Sequence, residues 1–208
     1  NPGLVYFSNT GFGQTGPHAP RAGYDFIIQA MGGIMDLTGE PDGEAQKPGM
    51  AYADLFTGLY SVIGIQAALA QRAVTGKGQH IDMALFDTQL AVLANQSGNY
   101  LTSGIVPRRM GNAHPNIVPY QVFQAADAPF VIACGNDHQF AHLCEKLGVA
   151  FHTDARFARN TDRVKNRQII IPLLAAEMAR HSRADILALM EAAGVPAGPI
   201  NTVAEALA

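Results

Sequence analysis

"ADLFTGLYSVIGIQAALAQRAVTGKGQHIDMALFD", residues 53–87, decides the fold. From Asp54 to about Val74 it is apolar, free of proline and too long for a strand, so it reads as a central helix. "TGKGQ" closes that helix, since a glycine past the last turn accepts the left-handed backbone that ends it. "HIDMALFD" follows as a short strand turning into another helix, which runs to about Tyr100. Upstream, "LVYFSN" (Leu4–Asn9) reads as a buried strand, and a helix is expected from about Tyr24 to Met31. Strands alternating with helices in this way predict an α/β layer.

The pattern changes at "TSGIVPRRMGNAHPNIVP", whose three prolines, two adjacent arginines and lack of periodicity read as a linker over residues 104–118. Beyond it, "YQVFQAADAPFVIACG" predicts a hairpin turning near Asp127, Ala128 and Pro129. Helices are expected at about Asp137–Leu147, Arg163–His181 and Arg183–Ala193. The expected organisation is a larger α/β part over residues 1–103 and a smaller α+β unit over residues 119–200.

At 208 residues the chain is long enough to bury a core, as one large domain or two small ones. Its net charge of −3, with no stripe of Lys and Arg to neutralise phosphates, argues against nucleic acid. The longest apolar run is interrupted by Gln66, Gln71 and Arg72, so no membrane span is expected. Two cysteines, Cys134 and Cys144, in a chain rich in Ala, Gly and Met fit a reduced, cytoplasmic protein, and no targeting segment is read. The opening Asn1-Pro2-Gly3, with a strand almost at once, reads as part of something longer.

"GFGQTG" (Gly11–Gly16) fits G-x-G-x-x-G after a strand, the fingerprint of a dinucleotide site. That chemistry needs a helix whose N-terminus faces the pyrophosphate, and Pro20 would break one placed here. The loop reads better as backbone that approaches something closely. His138 and His142, four apart on an expected helix with Cys134 and Cys144 nearby, invite a metal. No second ligand pair matches them, so no metal is expected, only solvated histidines and buried thiols.

Asp54 stands at the head of the central helix. Asp is a preferred N-cap, and a capping oxygen by itself would explain the residue. Gly58 and Gly64 sharpen the question, because a glycine inside a helix costs about 1 kcal/mol against Ala. Close packing, or room for a ligand beside the first turns, would offset that cost.

"GFGQTGP...RAGYD", the block Pro48–Asp87 with "TGKGQ" at its centre, "GNAHPNIVPYQVF" and "VPAGPIN" resemble the family III coenzyme A transferases. Relatives in that family include formyl-CoA and carnitine CoA-transferases and the α-methylacyl-CoA racemases. The resemblance covers essentially the whole chain, and "GNAHPNIVPYQVF" is similar to transferases with dicarboxylate acceptors, of the succinyl-CoA:glutarate kind. It implies an α/β fold with a partial Rossmann-like large domain and a smaller α+β domain, taken from an interlocked homodimer. Residues 201–208 would then begin the return to the large domain.

The same resemblance implies that Asp54 is a nucleophile working through aspartyl anhydride and aspartyl-CoA thioester intermediates. CoA is then a substrate, with a small carboxylic acid as acceptor and no permanently bound cofactor. The helix end is expected to keep Asp54 ionised, and N–H groups of its opening turn to stabilise oxyanions. Arg21, Ala22, Gly23, Tyr24 and Asp25, with Leu85 downstream, are the implied CoA contacts. Racemases of the family carry histidine where Tyr24 stands, and a tyrosine with a pKa of about 10 is a poor base at neutral pH. Transfer is therefore favoured over the alternatives, a racemase or epimerase and a non-catalytic fragment of the fold. Gly111, Asn112 and His114 occupy the place of a glycine-rich loop over the reacting aspartate. They, with Arg109 and Arg108, are expected to meet the substrate, since a guanidinium grips a carboxylate in bidentate fashion.

Overall fold

The chain separates into two units, Asn1–Gly111 and Asn112–Ala208, described over residues 1–208 by the computed structural model. In the first unit the order is β1 (Tyr6–Thr10), α1 (Asp25–Met31), α2 (Ile34–Leu37), α3 (Tyr52–Thr75), β2 (His80–Ala84), α4 (Leu85–Ala91) and α5 (Asn95–Ser103). β1 and β2 pair in parallel, from Tyr6 opposite His80 to Thr10 opposite Ala84. Parallel neighbours need a crossover, and α3 supplies it by packing back on β2 while also touching α1 and α4.

α3 ends where glycine allows it: Gly76 has φ of 70° and its N–H donates to the Arg72 carbonyl. The buried stripe of α3 is Ala53, Thr57, Ser61 and Ala68. Its two hydroxyls are satisfied on the helix itself, Thr57 donating to the Ala53 carbonyl and Ser61 to the Thr57 carbonyl, each at 2.6 Å. A Cβ at Gly64 would lie 3.6 Å from Ile81, an ordinary contact, and one at Gly58 would meet nothing within 4 Å. Neither glycine is therefore required for clearance inside this unit. Leu55, Leu59, Val62 and Ile63 are exposed on α3. The helix has 24 residues and an 18-residue stretch of it reaches a mean hydropathy of 1.3, enough to cross a membrane by length and composition alone, which corrects the expectation drawn from Gln66, Gln71 and Arg72.

Two loops cross at glycine. A Cβ on Gly11 would stand 2.6 Å from the Gly23 Cα, so neither residue tolerates a side chain where it lies. No helix follows "GFGQTG"; the next one starts at Asp25, just after the crossing. Ile28, Ala53 and Leu85, with Phe12 and Phe86 against them, form the small core beside it.

The second unit runs β3 (Tyr120–Gln124), β4 (Pro129–Ala133), α6 (Asp137–Lys146), a 3-10 turn (Phe151–Thr153), α7 (Asn160–Lys165), α8 (Arg167–Met178), α9 (Arg183–Ala192), β5 (Ala197–Pro199) and α10 (Val203–Leu207). Its antiparallel sheet has the order β3-β4-β5 and packs on a core that includes Phe130, Phe140, Phe157, Leu174 and Met190. Arg163 is wholly buried within it. Its guanidinium donates to the carbonyls of Val118, Phe157 and Ala158 and to Asp137, and lies 4.2 Å from the centroid of the Phe140 ring.

Several elements differ from the sequence expectation. The helix expected over 163–181 is broken at Asn166, whose side chain donates to the Asp162 and Arg156 carbonyls. The one expected to reach Tyr100 breaks between α4 and α5, where Ala94 has φ of 50°. Residues 104–118 fall on both sides of the division between the units at 111 and 112.

Candidate active site

α3 begins two residues earlier than the sequence suggests, so Asp54 is its third residue and Ala51 occupies the cap position with no side chain to offer. Asp54 is therefore not the cap. That task falls to Asp25 on α1, whose Oδ1 accepts the Ala53 N–H at 2.8 Å and the Asp54 N–H at 3.3 Å. The other oxygen of Asp25 accepts from Gln29 Nε2 at 2.6 Å, one turn along the same helix. Gln29 is fully buried and was not singled out from sequence. Its signal, an i, i+4 acid–amide pair on a short helix, is present but common.

The side chain of Asp54 is left exposed, with no hydrogen bond or ion pair. Partial burial of its carboxyl, and then the charge of Asp25, push its pKa above the ordinary aspartate value. The shift runs opposite to the lowering that a bare helix end would give: desolvation, and then the second carboxylate at that end, weigh against the charged form. The oxyanion expectation changes as well. The N–H groups of Tyr52 and Leu55 donate to the carbonyls of Met50 and Ala51, and those of Ala53 and Asp54 to Asp25. All four N–H groups at the start of the helix are thus committed.

The residues expected to touch CoA divide. Arg21, Ala22 and Tyr24 are exposed, with Tyr24 at 78% and Arg21 lying over the Phe12 ring. Gly23 is the crossing residue, and Asp25 has both oxygens engaged within the protein. Leu85 is buried against Ile28 and Ala53 and serves the core.

The residues expected to meet the acceptor are also unequal. Arg109 pairs with Asp36 at 2.9 Å, whereas Arg108 is exposed and has no ion pair. Both line a hollow of about 670 Å³ with Asp36, Pro41 and the Ile105–Pro107 segment. Gly111, with φ of 58°, donates to the Gly39 carbonyl, and a Cβ there would stand 3.2 Å from the Glu40 carboxylate. In the second unit Asn112 is exposed and the His114 ring contacts that of Tyr120, tilted by 48° at 5.0 Å between centroids. Burial, and then the charge of Arg167, lower the His114 pKa, so the ring favours its neutral form.

No group of three or more His, Cys, Asp and Glu side chains is placed to hold a metal. His138 and His142 lie side by side on α6, 4.0 Å between ring centroids and tilted by 55°. Cys134 and Cys144 are buried, their thiol pKa values pushed up to about 12 and about 11, chiefly by desolvation.

A family model described as CoA-transferase family III matches residues 1–208. The chain is 53% identical to a succinate–glutarate CoA-transferase of Agrobacterium fabrum, covering 100% of this chain and 52% of that protein. It is 46% identical to an acetyl-CoA:oxalate CoA-transferase of Acetobacter aceti, covering 99% and 54%. Among solved structures, a CAIB/BAIF family protein from Brucella suis is 62% identical with a TM-score of 0.79, covering 100% of this chain and 55% of that one. The chain thus spans about half the length of the curated relatives it matches.

Proposed function

The chain belongs to CoA-transferase family III, and on that premise we propose that it carries the nucleophile of an enzyme moving CoA from an acyl-CoA donor to a carboxylic acid. Asp54 attacks the thioester carbonyl, expelling CoA thiolate and leaving an acyl–aspartyl anhydride. The thiolate attacks the aspartyl carbonyl, which releases the donor acid and forms aspartyl-CoA. The acceptor carboxylate then displaces the thiolate to give a second anhydride. Return of the thiolate to the acceptor carbonyl yields the new acyl-CoA and frees Asp54.

The observation that carries this reading is the freedom of Asp54: exposed, without a side-chain partner, and relieved of capping by Asp25. Its raised pKa also makes it a more basic, and so a better, nucleophile once ionised. A dicarboxylic acceptor is supported by the names of relatives that act with glutarate and oxalate, and by Arg108 as an unpaired guanidinium beside the hollow. The reading includes a Rossmann-like large domain shared in an interlocked homodimer and a cytoplasmic setting. CoA serves as substrate rather than resident cofactor, and nucleic acid is not a partner.

Trapping tests it. The native protein carrying this chain, incubated with succinyl-CoA and hydroxylamine, is expected to gain a hydroxamate on Asp54, found by peptide mass spectrometry and absent from Asp54→Ala. A folded protein that binds CoA and gives no adduct on Asp54 would refute the reading.

A further inference from the structure

We infer that Asp25 is the positioning residue of the Asp54 nucleophile: held by Gln29, its carboxylate caps α3 from outside and so fixes where Asp54 stands while leaving the Asp54 side chain free. The inference rests on Asp54 being the nucleophile. Three constraints meet at Asp25. The chain enters it from the Gly11–Gly23 crossing, where backbone lies on backbone and gives little room for movement. One oxygen accepts from the buried Gln29, whose amide also reaches the Met50 carbonyl at 3.4 Å, in the segment leading into α3. The other accepts the Ala53 and Asp54 N–H groups. Gly32, further along the same segment, lies so close to the Gln89 side chain that a Cβ would collide with it, which pins α1 against α4.

A carboxylate with both oxygens spent in this way is unsuited to hold a passing CoA. It can instead do two things for its neighbour. It holds the start of α3 at one place, and it sets a negative charge behind Asp54. Of the titratable groups on the elements packed against α3, which are Tyr24 and Asp25 at α1, Asp87 on α4, and His80 and Asp82 on β2, Asp25 is the one whose charge bears on Asp54. Position and charge can be separated by substitution.

The test uses CoA transfer from succinyl-CoA by the native protein, with the pH dependence of kcat/KM and hydroxylamine trapping as parallel readouts. Asp25→Asn keeps an acceptor oxygen at the cap and removes the charge. It is expected to retain the Asp54 adduct and to move the acid limb of the profile to lower pH. Asp25→Glu keeps the charge and misplaces it, so kcat should fall with the acid limb unmoved. Asp25→Ala loses both, and kcat is expected to fall on the order of 10²-fold with a much smaller change in KM, the pattern of a displaced reacting group. Gln29→Met, which spares the carboxylate, should lower kcat in the same sense and serves if Asp25→Ala does not fold. If wild type traps on Asp54 while Asp25→Asn shows an unmoved acid limb, and Gln29→Met a wild-type kcat, Asp25 does not position the nucleophile. Absence of the wild-type adduct would instead overturn the transferase reading, so the two failures are distinct.

Discussion

Replacing Gly23 with alanine should cost both stability and activity, and the cost can be worked from the crossing. The facing Cα lies 2.6 Å from the Cβ that Gly11→Ala would create and 2.5 Å from that of Gly23→Ala. The shorter of these is 0.9 Å inside the 3.4 Å at which ordinary contact begins. Both obstacles are backbone, so no rotamer change relieves them. Neither glycine has a positive φ, so alanine suits the local dihedrals and the whole penalty is steric. Overpacking of this kind costs about 1–3 kcal/mol, and the stiffer unfolded chain returns about 0.4–1 kcal/mol. A net loss of roughly 1–2 kcal/mol is expected for either variant in urea unfolding. Gly58→Ala is the contrast, since nothing lies within 4 Å of its Cβ. There a gain of about 0.5–1 kcal/mol is expected from helix propensity. Because Asp25 is two residues past Gly23, the kcat of Gly23→Ala should fall further than its stability loss explains. If Gly11→Ala and Gly23→Ala both unfold at the wild-type midpoint, the close crossing is not present in solution.

Arg163→Met strips Val118, Phe157, Ala158 and Asp137 of a buried donor and should cost about 3 kcal/mol, read as a lower urea midpoint for the second unit. Asp54→Asn should raise the Tm at neutral pH, because the folded-state pKa of Asp54 is raised and its ionised form is therefore penalised on folding. That gain should fade as pH falls through the raised pKa and vanish below the unfolded aspartate value; a constant gain across the range would count against the sign of the shift. Cys134 and Cys144, buried with pKa values of about 12 and about 11, should resist iodoacetamide in the native protein and react fully in guanidinium. Labelling of either in the native state would contradict that burial.

α3, β2 and the hairpin were legible in the sequence because their signals are local: apolar length, a glycine at the helix end, alternation around Asp127–Pro129. The break at Asn166 was not, because the apolar pattern runs on while a side chain takes over backbone partners. α10 carries a local signal of its own, the capping box of Thr202 and Glu205. The part of the site that escaped was Asp25 as cap. Capping is read from the residue just before a helix, and here the oxygen arrives from 28 residues upstream of Ala53 through tertiary packing. The resemblance implies Asp25 as a CoA contact, and the sequence hints at only one commitment of its carboxylate, the common i, i+4 spacing to Gln29, not at the bond to the Ala53 N–H.

Since the start of α3 is held from Asp25, the identity of residue 54 matters little to whether that helix begins. On the proposed function the nucleophile is therefore exchangeable: a cysteine, serine or glutamate could stand at residue 54 on an intact scaffold. The chemistry proposed for this point in the chain is thereby open to drift and to design, while the residues that hold the start of α3, 25 and 29, carry the constraint.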